Sequence, residues 1–341
     1  MSDHIVKPAL KPAAPRLRLH LEGLPIILVF FVLIGLFVFF APTVFLHWPI
    51  YNSFLVTIPP MLILSLGLTL VIAAGEIDLS FPAVIALSGF LFAWFTRQYG
   101  MPWLGLAAAI AGGAVVGVVN GFLIAVIGIP SIIITIGTSF FWSGMATVLS
   151  GGLSYTINRL NGTAIDAIFS GTVLGVPSEA LWAVAAAVLV WFILNRHRFG
   201  EHLLFIGDSR DVARVVGINT VRERIKLFTL MGALAGFASV LLTLQNFSYF
   251  PTQGQGILLL ALAAVFIGGT SVFGGTATVV GSFFGALIIG MLDAGIVATG
   301  VAGFWVEVIV GLVFVAAVVL HIGLDEPARV RLLWRRLLSR N

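Results

Sequence analysis

Long apolar segments, separated by short polar stretches, make up most of the chain. Ten such segments stand out: Leu24–Leu46, Ser53–Gly75, Phe81–Thr96, Trp103–Ile127, Ser131–Leu149, Ala180–Leu194, Leu227–Leu244, Ile257–Phe273, Thr276–Leu292 and Phe304–Leu320. An α-helix needs about 20 residues to cross about 30 Å of hydrocarbon. Several segments are shorter, so we expect some helices to be broken or re-entrant. The pattern predicts an all-α polytopic membrane protein with about ten transmembrane helices.

Proline and glycine positions predict how these helices bend and pack. Pro59-Pro60 interrupts the hydrogen-bond ladder of the second segment and predicts a kink there. Glycines recur four residues apart in three segments, at Gly113, Gly117 and Gly121, at Gly232 and Gly236, and at Gly281 and Gly285. Such small-residue faces let two helices approach closely.

The composition excludes a water-soluble protein. Hydrophobic residues make up 60% of the chain and charged residues 9%, with a mean hydropathy of +1.12. The chain has no cysteine, which excludes a disulfide framework, thiolate catalysis and a cysteine-bound metal. A net charge of +4 is compatible with nucleic-acid binding, but the basic residues flank apolar segments and therefore favour the membrane as the partner.

The basic residues also predict the orientation. Sixteen of the 18 Lys and Arg residues fall in three clusters, one before the first apolar segment, one after the sixth and one after the tenth. The positive-inside rule puts all three clusters, and both termini, in the cytoplasm. The predicted organisation is a cytoplasmic tail (1–23), six transmembrane helices (24–195), a cytoplasmic coupling loop (196–226), four transmembrane helices (227–320) and a basic cytoplasmic tail (321–341).

The chain lacks the chemistry of an ATPase or a hydrolase. A phosphate-binding loop needs Gly-Lys before Ser or Thr, and the three lysines, Lys7, Lys11 and Lys226, do not follow glycine. No His-Glu-x-x-His motif occurs, and Gly269–Phe273, which is nearest to Gly-x-Ser-x-Gly, ends in Phe. We therefore expect no catalytic residue, cofactor or metal, and an ATPase would have to be another chain.

Charged residues are scarce inside the apolar segments. Only Glu307 lies within one, while Glu76, Asp78 and Asp293 lie at segment ends. A proton-driven carrier normally needs a relay of such groups. The scarcity favours a neutral polar substrate and an external energy source, although a sodium-coupled carrier that binds ions through backbone carbonyls stays open.

A short amphipathic helix is predicted in the cytoplasmic loop. Asp208 or Ser209 is suited to cap its start, and Gly217 is suited to follow its end. Valines on one face and arginines on another make it amphipathic. It is suited to dock into a groove on an ATPase, and the alternative is that it lies on lipid headgroups or on the protein's own helix ends. The candidate coupling residues are Asp208, Ser209, Arg210, Asp211, Val212, Ala213, Arg214, Val215 and Gly217.

Two turns interrupt the apolar segments and predict irregular backbone within the membrane. The first is 74–82, which carries two carboxylates, and the second is the glycine-rich 266–275. Such backbone is tolerated at membrane depth where it is buried or lines a cavity, although plain helix capping is the alternative role of the polar side chains. The candidate pathway residues are Glu76, Asp78, Ser80, Asn120, Thr135, Gln245 and Asn246.

Four of these features together resemble bacterial ABC importer permeases of the ribose type. The resemblance rests on Gly75–Ser80, on a turn at Ile136-Gly137-Thr138, on the loop from Ile206 to Asn219, and on Phe266–Gly275, which occur in the family's order. The chain has Glu76 where the family usually has glycine, and Val212 where alanine is common.

The resemblance implies a permease subunit of the bacterial inner membrane, of the branched-chain-type, binding-protein-dependent class, that imports a monosaccharide. It implies three protein partners: a second permease copy, a periplasmic sugar-binding protein and a cytoplasmic ABC ATPase. The segment from Asp208 to Gly217 would then couple the permease to the ATPase. The alternative is a self-contained secondary carrier or facilitator for a small neutral solute.

Overall fold

The computed structural model describes residues 23–325, with the backbone alone at 293, 307, 317, 318 and 320–325. The predicted N-terminal tail, apart from Gly23, and most of the predicted basic C-terminal tail lie outside the described residues. Two of the three basic clusters therefore lie outside them as well.

Fifteen α-helices form most of the described structure. They are α1 (Leu24–Phe40), α2 (Pro42–Phe45), α3 (Trp48–Thr57), α4 (Pro59–Ala73), α5 (Phe81–Tyr99), α6 (Pro102–Ala125), α7 (Ser131–Ser150), α8 (Ala164–Phe169), α9 (Ser178–Arg196), α10 (Arg198–Asp208), α11 (Arg210–Val215), α12 (Thr220–Gln245), α13 (Ile257–Ile267), α14 (Val279–Ala298) and α15 (Val306–Asp325). Two short antiparallel pairs join β1 (Tyr155–Thr156) to β4 (Ser248–Tyr249) and β2 (Thr172–Val173) to β3 (Val176–Pro177).

Several helices are long and apolar enough to cross a membrane. Between residues 23 and 325, five meet this condition singly, namely α6, α7, α9, α12 and α14, and the pair α3 and α4, bent by 48° at its break, meets it when the two helices are taken together. The bend falls at Ile58, directly before Pro59-Pro60, which confirms the predicted kink. The protein is therefore a mostly helical, polytopic membrane protein.

The glycine faces bring helices into backbone contact. A Cβ atom added at Gly117 of α6 would lie 2.1 Å from the carbonyl oxygen of Phe228 in α12. One added at Gly285 of α14 would lie 2.1 Å from the carbonyl oxygen of Ala264 in α13. Because side chains larger than hydrogen would push these helices apart, the predicted role of the glycine spacing in close packing is confirmed.

One predicted turn is wrong. Ile136-Gly137-Thr138 lies in the interior of α7, where the hydroxyl of Thr138 donates to the carbonyl oxygen of Ile134 at 3.0 Å. A single glycine in an apolar segment does not break a helix, and the flanking residues continue the hydrogen-bond ladder.

A candidate coupling site at one end of the helix bundle

Three backbone turns meet at one end of the bundle. They contain Gly75 after α4, Gly207 at the end of α10, and Gly274-Gly275 after α13. The N–H of Gly275 donates to the carbonyl oxygen of Ala73 at 2.9 Å, and a Cβ added at Gly207 would lie only 1.9 Å from that same oxygen. Gly75, Gly274 and Gly275 also have positive φ angles of 70°, 84° and 79°. Glycine is needed here because the turns touch through their backbones.

Glu76 is the charged centre of this end. Its Oε1 atom lies 2.6 Å from Nε of Arg224 in α12 and 2.8 Å from Nη2 of Arg210 in α11. The side chains of Glu76 and Arg224 are 1% and 6% exposed, and that of Arg210 is 43% exposed. A buried carboxylate is tolerated only when it is paired. Glu76 therefore joins the first residue of α11 and the start of α12 to the turn after α4.

Asp78 organises the start of α5. Its Oδ1 atom accepts hydrogen bonds from the backbone N–H of Ser80 at 2.7 Å and from the Ser80 hydroxyl at 2.6 Å. Asn120 of α6 donates to the same hydroxyl at 2.8 Å. In this turn, outside both flanking helices, burial raises the pKa of the Asp78 carboxyl, and the hydrogen bonds from Ser80 lower it in part. These contacts form a local turn that holds Ser80, the N-cap residue of α5, whereas α5 itself has no side-chain cap hydrogen bond.

The start of α7 lies against the same turn. The N–H of Ile77 donates to the hydroxyl of Ser131 at 3.1 Å. Thr135 is fully buried, and its hydroxyl donates to the carbonyl oxygen of Ser131 at 2.8 Å. Five of the predicted pathway residues, from Glu76 to Thr135, thus lie together at this end of the bundle.

The predicted amphipathic helix is α11, a helix of six residues. Ser209 is its N-cap and accepts from the N–H of Val212 at 3.4 Å, whereas Asp208 ends the preceding helix α10. Gly217 has a φ angle of 88°, and the N–H of Ile218 donates to the carbonyl oxygen of Ala213 at 2.9 Å. This is the left-handed helix end for which glycine is best suited.

Two valines of α11 are exposed on the side that points away from the bundle. Val215 is 87% exposed and Val212 54%, while Ala213 is fully buried. Arg214 lies beside Asp211 at the surface, with 3.6 Å between Nη1 and Oδ1. Helices this short are stable only when they are packed on other structure. Here Ala213 and the Arg210–Glu76 ion pair hold the helix, so its valines remain free for another surface.

The sequence of this chain is similar to known transport proteins. The family described as "Branched-chain amino acid transport system / permease component" matches residues 50–318. The chain belongs to this permease family.

Three relatives of the permease are sugar transport proteins by name. The ribose import permease of Bacillus subtilis (strain 168) is 33% identical over 262 residues, which cover 76% of this chain and 80% of the relative. The fructose import permease of Rhizobium meliloti is 32% identical over 263 residues, or 73% and 71% of the two chains. The D-allose transport system permease of Escherichia coli (strain K12) is 30% identical over 294 residues, or 85% and 88%. No solved structure matches the permease.

The two remaining pathway candidates of the permease lie at the opposite end of α12. Gln245 donates from its side-chain amide to the carbonyl oxygen of Val56, and Asn246 donates to that of Leu242 at 2.9 Å. The seven candidates therefore do not form one continuous surface. Their pathway role stays a prediction, and the contacts of Asp78 and Ser80 stabilise the turn before α5 without a side-chain cap on that helix.

Sequence reasoning missed two features of this site. Helix α10 was not predicted, although its buried Leu203 and Ile206 are three residues apart on one face. The ion pairs of Glu76 were not predicted either, because Arg210 lies 134 residues further along the chain. The sequence signal for Glu76 was a carboxylate at a position where the family that the chain resembles usually has glycine.

Proposed function

We propose that the permease is the membrane-spanning subunit of an ATP-driven importer for a monosaccharide or a related polar solute. The support comes from the permease family itself and from the names of its relatives, which import ribose, fructose and allose. The chain has no phosphate-binding loop of its own. A periplasmic binding protein delivers the sugar, and a cytoplasmic ABC ATPase supplies the energy.

In this proposal ten crossings of the inner membrane place both termini in the cytoplasm. The crossings are α1, the bent pair α3–α4, α5, α6, α7, α9, α12, α13, α14 and α15. Contacts at the Glu76 end support the alternation, because Asn120 lies near the end of α6, Ser131 starts α7 and Arg224 lies near the start of α12. The same end carries the basic segment 196–226, which the positive-inside rule assigns to the cytoplasm.

Helix α11 is the element that docks on the ATPase. This assignment rests on the exposed side chains of Val212 and Val215. The Arg210–Glu76 ion pair holds the helix against the bundle, so that these valines stay exposed. An amphipathic helix inserted in a groove is a common recognition mode. When ATP closes the ATPase around it, α11 moves, and Glu76 passes the movement to α4 and α12. The bundle then changes between outward-open and inward-open states.

A second permease copy, identical or homologous, completes the transporter in this proposal. Two copies offer the ATPase two α11 helices, one for each nucleotide-binding domain. The apolar flank of each copy, between the cytoplasmic and periplasmic ends, contacts membrane lipid, in keeping with the exposed apolar side chains of α9, such as Val188 and Phe192.

The docking role of α11 is tested by replacing Arg214 and Val215 together with Asp. We expect loss of ATPase co-purification and of sugar uptake, with membrane insertion intact, because two charges then face an apolar groove. The matched control is Leu174→Asp, which changes a fully exposed apolar residue in the loop between β2 and β3 and should leave both properties intact. Retained co-purification by the double variant would contradict the docking role.

A further inference from the structure

A non-helical segment connects β4 to α13. It comprises residues Phe250–Gly256 and consists of consecutive turns, with φ angles of 95° at Gly254 and 86° at Gly256. Helix α13, which follows, has 11 residues. At 1.5 Å per residue it is about 16 Å long, about half of the hydrocarbon thickness. Non-helical chain on one or both sides of α13 must therefore cover part of the membrane depth, and both the segment before Ile257 and residues 268–278 are non-helical.

Contacts with α5 give the depth of this segment. Tyr249, just before it, pairs with Tyr155 of β1, beyond the end of α7 that is opposite to Ser131. Gln253 lies against Gly89, eight residues into α5 and about 12 Å along it. Gly254 lies against Pro82 and Ile85 in the first turns of α5, where an added Cβ would be 2.9 Å from the Pro82 oxygen. The segment thus descends along α5 to well below its middle.

Hydrogen bonds to α12 hold the segment in place. The side-chain amide of Gln253 donates to the carbonyl oxygen of Ser239 and to the hydroxyl of Thr243, both at 3.0 Å. The Thr243 hydroxyl donates in turn to the same Ser239 oxygen at 2.7 Å. Gly89 leaves room for this amide, because an added Cβ would lie 3.0 Å from Nε2 of Gln253. The side of the segment that faces α5 and α12 is therefore held in place.

After Phe250, which is 45% exposed, the side chains exposed on the other side of the segment are polar. Thr252 and Gln255 are both exposed, whereas Gln253 is half-buried and Gly254 is buried. Turn backbone and polar side chains at this depth cannot face hydrocarbon, since each unsatisfied group costs several kcal/mol there. By contrast, α9 exposes apolar side chains such as Val184 and Val188. The exposed side of the segment must face water or protein rather than lipid.

We infer that Phe250–Gly256 lines the sugar pathway, and that Thr252 and Gln255 contact the hydroxyl groups of the passing sugar. This inference rests on the proposed function. Hydroxyl and amide side chains both donate and accept hydrogen bonds, as sugar hydroxyls do, and they carry no charge. They replace the water that a sugar gives up on entering the membrane. The pathway residues Thr252 and Gln255 were not among the seven predicted from the sequence.

The native absence of cysteine allows a direct test. Thr252→Cys and Gln255→Cys each introduce the single thiol of the chain. The complete transporter, with its ATPase and binding protein, is reconstituted in lipid vesicles and treated with a charged methanethiosulfonate reagent. Val188→Cys is the matched control, because Val188 is 60% exposed in the middle of the apolar face of α9.

We expect both pathway cysteines to react at least about tenfold faster than the control, because a thiol in hydrocarbon neither ionises nor meets a charged reagent. The sugar that the parent transporter imports, among ribose, fructose and allose, should slow their reaction. Rates equal to that of Val188→Cys would overturn the inference, and so would rates that the imported sugar leaves unchanged.

Different measurements test the pathway assignment and the proposed function. ATP-dependent uptake by the cysteine-free parent tests the proposed function alone. The reaction rates without sugar test whether the segment faces water, whatever the parent imports. A parent that imports sugar while both cysteines stay unreactive would leave the function standing and remove the pathway assignment.

Discussion

At Glu76, a single buried carboxylate oxygen lies within ion-pair distance of two arginines from different helices. The sequence indicated that this residue is unusual, because glycine is expected at its position in the family it resembles. The sequence could not supply the partners, since pairing across more than 130 residues depends on how α11 and α12 pack against α4. The structure accounts for the substitution: the charge of Glu76 stabilises Arg224, which is itself buried.

Glu76→Gln should destabilise the folded permease by about 3–5 kcal/mol, because it leaves the buried guanidinium of Arg224 without a counter-charge. Adding Arg224→Met should restore most of this loss, since an apolar side chain needs no partner. Thermal unfolding of the purified protein measures both effects. A double variant as unstable as the single one would show that the ion pair is not the source of the loss.

Substitutions at Asp78 distinguish a structural role in the turn before α5 from a pathway role. Asp78→Ala should lower stability by about 1–3 kcal/mol and lower uptake in parallel, because the Ser80 N–H and hydroxyl lose their acceptor. Asp78→Asn keeps an acceptor oxygen and should preserve both properties. Stability and sugar uptake are measured on the same preparations. A stable Asp78→Asn protein with little uptake would instead support the pathway role.

Among the helices, hydrophobic patterning predicted more than local turn signals did. The apolar segments correspond to helices because a long charge-free run can bury its backbone in lipid only as a helix. The predicted turn at Gly137 was wrong, and helix α10 was not predicted. The conformation of both segments depends on packing, which glycine content and charge do not determine. Helix α11 was predicted well, since its cap at Ser209 and its end at Gly217 are local features.

The α6–α12 contact should be highly sensitive to side-chain size. Gly117→Ala places a methyl group 2.1 Å from the Phe228 oxygen and should cost at least about 1–3 kcal/mol, because the two helices must separate. Gly137→Ala is the matched control, since in the described part of the chain its added Cβ has no neighbour within 4 Å beyond the adjoining residues and backbone of α7, and it should be neutral or slightly stabilising. Thermal unfolding of the two purified variants compares them. Equal stability would contradict the close helix contact.

Across the whole molecule, α12 connects the two proposed sites. It begins beside Glu76 through Arg224 and holds the segment Phe250–Gly256 through Ser239 and Thr243. Ser239 lies 15 residues after Arg224, about 22 Å along a continuous helix. In the proposed mechanism, a movement that begins at α11 therefore reaches the sugar pathway through one rigid element.

The segment Phe250–Gly256 was the part of the molecule that the sequence predicted least. Its residues follow no helical or alternating pattern, and a run of Pro, Thr, Gln and Gly is typical of an external loop. Its depth follows only from contacts with Gly89 and Pro82 of α5, which lie more than 150 residues earlier in the chain. The sequence therefore predicted the apolar helices and α11, but not how far this polar segment reaches along α5.

We expect the permease to move sugar only when a partner ATPase drives it from the cytoplasmic side. The most direct measurement is uptake of labelled ribose, fructose and allose into lipid vesicles that contain the permease alone, or the permease with its ATPase and binding protein. We expect ATP-dependent accumulation of one of these sugars by the complete set and none by the permease alone. Accumulation against a gradient by the permease alone would contradict the account and support a self-contained carrier.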